Sequence, residues 1–190
     1  MTEVMLFPLG TVVLPEGKMR LRIFEPRYKR LVAEASKHDG TFGICLFERS
    51  DENPRGTLSH TGCLVKIVDF ETLDDGLLGI TVVGLKRFAL GRIRVDFDGL
   101  RFAQVEWLPS WEIQHLSDDK QYLAQQLKRV YTRFPQISAL YPQCYFDDAS
   151  WVTQRWLELI PVELHHFDFL TDQNDCQQAM DYLSVTIDKK

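Results

Sequence analysis

Leu6-Phe7-Pro8-Leu9-Gly10-Thr11-Val12-Val13-Leu14-Pro15, followed after a short interval by Leu21-Arg22-Ile23-Phe24-Glu25-Pro26-Arg27-Tyr28, packs four successive backbone segments into little more than twenty residues. Met5 to Leu9 is a short apolar strand closed by Pro8 and Gly10. Thr11 to Leu14 reads as a second strand, stopped by Pro15 and Gly17. From Lys18 to Phe24 the pattern alternates: Met19, Leu21 and Ile23 point one way, Lys18, Arg20 and Arg22 the other, the period of a half-buried strand. Pro26 suits the first turn of a helix, where its missing N–H leaves no hydrogen bond unmade.

Outward from this stretch, Tyr28, Leu31, Val32 and Ala35 fall on one helical face, and Gly40 is placed just past the helix end. Phe42 to Phe47 is the next expected strand, and Arg49 to Ser59, with Pro54 and Gly56, a surface loop. Leu64–Phe70 and Leu77–Val83 are strands joined around Asp74-Asp75-Gly76. Ile93, Val95 and Phe97 alternate, turn at Asp98-Gly99, and continue as Ala103, Val105 and Trp107. Short strands with regular turns suggest a small barrel or sandwich, closure removing exposed sheet edges.

After residue 110 the period changes. Ser117 is an expected N-cap with Asp118 and Asp119 behind it, and Leu123, Leu127, Val130, Tyr131 and Phe134 form a helical stripe ended by Pro135. A helix after Asp147-Asp148 carries Trp151, Val152, Arg155, Trp156 and Leu159. Pro161 starts a third, and a last one from about Asp172 buries Cys176, Met180 and Leu183. The expectation is an α+β chain, with a β-rich part at residues 1–110 and a helical part at 111–190.

The chain has 190 residues and a formal charge of −5. A mildly acidic protein is a poor general binder of phosphate backbones, although a local basic patch can still act. Met1-Thr2-Glu3-Val4 lacks the charged and apolar regions of a secretory leader, and no run approaches the ~20 apolar residues of a membrane helix. Cys45, Cys63, Cys144 and Cys176 are scattered without a CxxC pair. Reduced thiols in a cytoplasmic protein are therefore expected.

The opening string resembles the N-terminal substrate-recognition domain of Lon proteases, in which a PL…VVLPG…PL.IFEPRY pattern recurs. Further similarity lies in Gly62 to Ile67 and Leu73 to Leu77 (GT…I…LPDGR), in Val83-Gly84-Leu85-Lys86-Arg87-Phe88 (GL.RF), and in Trp156-Leu157-Glu158-Leu159-Ile160-Pro161 (LPL). The chain departs from the pattern at Pro15-Glu16-Gly17, at Thr72 to Asp75, and in the aromatic-rich Phe134–Asp148 region. The resemblance implies a PUA-like β pseudo-barrel with one early helix, followed by a helical bundle. It also implies a non-catalytic module that binds unfolded or extended polypeptide, or a protease component, with no cofactor. A complete Lon protease adds an ATPase and a Ser-Lys peptidase. GxxxxGK[ST], whose backbone N–H groups cradle phosphate, does not occur here, and no serine sits in a tight small-residue turn.

Two patterns could suggest metal chemistry. His60-Thr61-Gly62-Cys63 has no second pair to complete four ligands, and Glu163-Leu164-His165-His166 gives a single ExxH step where di-iron bundles use two. The residues singled out for peptide binding are Phe24, Glu25, Arg27 and Tyr28. They admit an architectural reading (Pro26 starting the helix, Phe24 and Tyr28 packing, Glu25 and Arg27 pairing) and a reading as the border of a cleft. Lys18, Arg20, Arg22, Lys29 and Arg30 cluster in sequence, as a solvated face or as an RNA-binding patch; PUA-like RNA binding is the alternative function.

Overall fold

The computed structural model describes residues 2–190; Met1, the first residue of the stretch inspected for a leader, lies outside them. Six strands come first: β1 (Thr2–Leu9), β2 (Lys18–Ile23), β3 (Thr41–Glu48), β4 (Thr57–Thr72), β5 (Leu78–Val95) and β6 (Arg101–Trp107), with helix α1 (Pro26–Ser36) between β2 and β3. A single 3-10 turn (Asp118–Lys120) then leads into α2 (Gln121–Arg133), α3 (Pro135–Ser138), α4 (Ala149–Leu159), α5 (Leu164–Thr171) and α6 (Gln177–Thr186). The α+β order expected from the sequence is the order observed.

The sheet runs β2-β5-β4-β3-β1-β6, and β6 pairs again with β5. Five strands therefore close a ring, and β2 hangs from the first half of β5 outside it. This is the pseudo-barrel. β5 reaches both neighbours because it is long: Leu78–Val83 pairs with β2 and Phe88–Val95 with β6. The sequence reading divided β5 and shortened β4. Gly84 and Gly91 lie within β5, and register shifts at Leu64/Val65, Ile67/Asp69 and Leu90/Ile93 bend the long ladders. Phe97 then falls in the turn, 95% exposed, rather than in a strand. The Asp98-Gly99 turn forms as expected, with Gly99 at φ +88°, which suits glycine.

The barrel core gathers Phe7, Ile23, Phe42, Ile44, Val65, Ile80 and Val82, with Tyr28, Leu31, Val32 and Ala35 of α1 packed against it. The helical core centres on Trp151 of α4, buried among Tyr131, Tyr141, Tyr145 and Phe146 with ring centroids 5.5–6.4 Å away. The helix was read as a one-sided stripe. In the structure α4 is buried on every face from Ala149 to Leu157, including Thr153, Gln154 and Arg155. Phe134, expected in the α2 stripe, lies at its end and is 40% exposed. Pro135, expected only to stop α2, also opens α3. α6 starts at Gln177, later than expected, with Cys176 buried just before it.

Thr11 to Leu14 is not a strand, and the reason joins the two parts of the chain. The segment is extended: Val13 enters the barrel core while Val12 and Leu14 enter the helical core. Besides the Gly17 N–H, which donates to the Leu14 carbonyl at 2.8 Å, its backbone partners are side chains of α4. Glu158 Oε2 accepts from the Leu14 N–H at 3.0 Å, and Arg155 Nη2 donates to the Pro15 carbonyl at 2.7 Å and to the Leu14 carbonyl at 3.4 Å. Arg155 Nε donates to Glu158 Oε1 at 2.5 Å, and the guanidinium is fully buried. Burial alone would lower the Arg155 pKa, but Glu158 and the Tyr141 and Tyr131 phenols outweigh it and hold the group above its ordinary value.

Two further clasps cross the same boundary. Buried Arg87 of β5 donates to the carbonyls of Thr171, Gln173 and Pro109. Asp168 of α5 accepts from the backbone N–H groups of His60 and Thr61 at 2.8 and 3.0 Å. Gly84 faces the same joint: a Cβ there would run into the Leu14 carbonyl.

Candidate functional site

Because β2 pairs with β5 alone, its outer edge is open. β1 is open on the corresponding side past Leu6, since β6 pairs only with Thr2–Leu6. Pro8 pairs with β3 on one side and lies open on the other, in keeping with the confinement of strand prolines to open edges. Between the two edges lies a groove of about 410 Å³, lined by Phe7, Pro8 and Leu9 on one side and Arg20, Leu21, Arg22 and Phe24 on the other. Glu25, Arg27 and Tyr28 form one end, and Phe47, Arg49 and Arg101 are added from β3, the loop after it and β6.

The direction of the β2 backbone follows from its neighbours. Gly17 C=O accepts from Gly84 N–H and so faces β5. The Lys18 N–H instead donates to Tyr141 Oη at 2.8 Å and so faces away. Strand groups alternate, so the N–H and C=O of Arg20 and Arg22 share the Lys18 side, the open one. Among the described residues no other element hydrogen-bonds to those two amides.

The structure brings Phe24, Glu25, Arg27 and Tyr28 to this groove, with differing roles. Tyr28 is an architectural residue with one edge at the site: its ring stacks on Phe7 at 3.9 Å, 5° from parallel, and it is buried. Burial raises its phenol pKa, with Arg27 pulling it partly back. Arg27 Nε donates to Glu25 Oε2 at 2.8 Å, the pairing expected. Phe24 does not pack as the architectural reading had it. It is 59% exposed, because it follows the last inward residue of β2, Ile23.

The basic cluster is divided. Arg20 and Arg22 line the groove, and Arg22 pairs with Asp75 at the β4–β5 turn. Arg30 turns away to Asp96 and Asp98 at 2.8 and 3.0 Å. Phe47, Arg49 and Arg101 were missed. Arg49 read as loop and Arg101 drew no notice; Arg49 lies 5.4 Å from the ring of Phe47, its near neighbour in sequence, and the barrel's closure brings Arg101 within 5.7 Å of the same ring.

A larger cavity of about 680 Å³ lies between α1, β1 and β6. Several of its charges pair with one another, Arg94 with Glu3 and Asp96, and Arg30 with Asp96, while Lys86 lies over the Trp107 ring at 3.8 Å. Unlike the groove, it carries more carboxylates, Glu3, Glu34, Asp39 and Asp96, than arginines and lysines, Arg30, Lys86 and Arg94.

The other candidate chemistries do not assemble around these residues. Among the described residues no three His, Cys, Asp or Glu side chains stand close enough to hold a metal ion. His60 is exposed while Cys63 is buried, and His165 meets only Glu163, at the surface, at 3.3 Å. Burial pushes the Cys45 and Cys63 thiols up to about 12, so neither is a thiolate at neutral pH. No described helix is long and apolar enough to cross a membrane.

Comparison with known proteins agrees with this architecture. The structure aligns with the crystal structure of a Lon N-terminal domain protein from Xanthomonas campestris at a TM-score of 0.76 and 29% identity, covering 99% of this chain and 100% of that one. The N-terminal domain of the Mycobacterium avium complex Lon protease shares the fold at a TM-score of 0.62 and 15% identity, over 96% of each chain. Protein cereblon of Danio rerio is 28% identical over 131 residues, which is 67% of this chain and 29% of cereblon, so the match spans less than a third of that relative. Residues 3–174 match the domain described as the ATP-dependent protease La (Lon) substrate-binding domain, and the chain belongs to that family.

Proposed function

We propose that this protein is a non-catalytic module that holds an extended polypeptide in the groove between β1 and β2, acting as an accessory or adaptor to a protease. The observation that carries the reading is the open edge of β2, where the Arg20 and Arg22 amide groups face an unfilled groove beside exposed Phe24. An extended chain can add itself to such an edge, its backbone completing the ladder and its apolar side chains resting on Leu9, Leu21 and Phe24. Family membership supports the same reading, since the family is described by substrate binding.

A short fluorescent peptide in which Val and Gln alternate provides the test, followed by anisotropy. Phe24→Ser removes an exposed ring and leaves the barrel core untouched. It is expected to weaken peptide binding about tenfold, the scale of one lost apolar anchor. Unchanged affinity in a folded Phe24→Ser protein would place the peptide elsewhere.

A further inference from the structure

We infer that the groove selects polypeptide segments rich in Asp and Glu, a conclusion that rests on reading the groove as a polypeptide site. Five arginines line it, Arg20, Arg22, Arg27, Arg49 and Arg101, against one carboxylate, Glu25. The chain as a whole carries a formal charge of −5, so this surplus is local. Glu25 is taken by Arg27, and Arg22 reaches Asp75 outside the groove. That leaves Arg49 and Arg101, together with Arg20, whose Nη1 donates only to the Gln136 carbonyl, at 3.5 Å. Each of the ten ion pairs among the described residues is made by other cations.

Three guanidinium groups without a carboxylate, beside the apolar wall of Phe7, Pro8, Leu9 and Leu21, make a site complementary to carboxylates. Each guanidinium forms a planar fork that takes a carboxylate with two hydrogen bonds. The open edge sets the spacing. An added strand sends every second side chain to one face, so acidic residues at alternate positions present their carboxylates together. A basic segment meets the same three charges as repulsion and is turned away.

Single-stranded RNA could also be drawn to arginines, but it needs bare aromatic faces on which successive bases stack. Here Arg49 and Arg101 already lie against Phe47, and Tyr28 is covered by Phe7 and Arg27. Phe24 alone among the groove's aromatic rings is left exposed. The geometry therefore favours an acidic peptide.

The experiment compares three versions of the alternating peptide, with Gln kept, replaced by Glu, or replaced by Lys, in the presence and absence of Phe24→Ser. An oligouridylate serves as competitor. The Glu peptide is expected to bind about tenfold or more tightly than the Gln peptide, the scale of one charge-assisted contact, and the Lys peptide more weakly than either. In Arg49→Gln/Arg101→Gln the Glu-to-Lys affinity ratio is expected to fall about tenfold, while Arg129→Gln, on the exposed side of α2, leaves the ratio as it was.

Equal binding of all three peptides, still weakened by Phe24→Ser, would overturn the acidic selectivity and leave the groove reading standing. Peptide binding indifferent to Phe24→Ser would overturn both. Oligouridylate displacing the Glu peptide at lower concentration than the peptide's own dissociation constant would assign the arginines to nucleic acid and also reject the inference.

Discussion

Replacing Arg155 with Met is expected to destabilise the protein by about 3–5 kcal/mol, read as a lower denaturant midpoint. The substitution keeps most of the side chain's volume and removes its charge. Glu158 would then be an unpaired carboxylate in a buried joint, the Pro15 carbonyl would lose its Arg155 donor, and the Leu14 carbonyl would keep only the Gly17 N–H. Removing one member of a buried pair costs far more than the pair contributes when intact. Adding Glu158→Gln to Arg155→Met should therefore recover about 1–2 kcal/mol, because a neutral amide is cheaper to bury and can still accept from the Leu14 N–H. A single variant within about 1 kcal/mol of wild type, below the cost of an unsatisfied buried group, would show that the clasp does not join the two parts as described.

Trp151→Ala is expected to cost about 3–5 kcal/mol, as for other fully buried Trp residues cut back to Ala. Trp151 is 1% exposed, and four aromatic rings pack around it in edge-on geometry. Two of them have further tasks. Tyr131 stacks on Tyr141 at 5.5 Å, and Tyr141 Oη holds the Lys18 amide at the start of β2. The cavity left by the indole thus lies close to the residue that ties β2 to the helical part. Loss of stability should be accompanied by faster amide exchange at Lys18, a coupling that a simple helical core defect would not produce.

The parts of this fold that were legible in the sequence are those set by neighbours in the chain. The alternation of Lys18 to Ile23, the proline opening α1, the Asp98-Gly99 turn and the helix start after Asp147-Asp148, where the Asp148 side chain accepts from the Ser150 N–H, are local devices, and all are present. What could not be read depends on distant partners. Thr11–Leu14 has the composition of a strand, and only the α4 pair shows why it needs no strand beside it. Arg155 fell in the helical repeat with Trp151, Val152, Trp156 and Leu159, but nothing local says what a buried guanidinium there would bind. Its burial follows from carbonyls contributed by the other end of the chain.

The groove shows the same division. Phe24 to Tyr28 stood out because Pro26 fixes a sharp junction between strand and helix there. Arg49 and Arg101 carried no local signal. Arg49 adjoins Phe47 in the chain, but Arg101 joins them only when β1 pairs with β3 and β6, across a long stretch of chain. The opening string resembled the Lon N-terminal domain without disclosing that its two strands leave a seam between them.

Amide hydrogen exchange resolved to single residues, on the free protein and on the protein saturated with the acidic alternating peptide, tests the seam most directly. The Arg20 and Arg22 amides should exchange readily in the free protein, and both should become protected when the peptide is bound, while Met19 and Leu21, already paired with β5, change little. Protection that leaves Arg20 and Arg22 untouched and appears elsewhere would contradict the account.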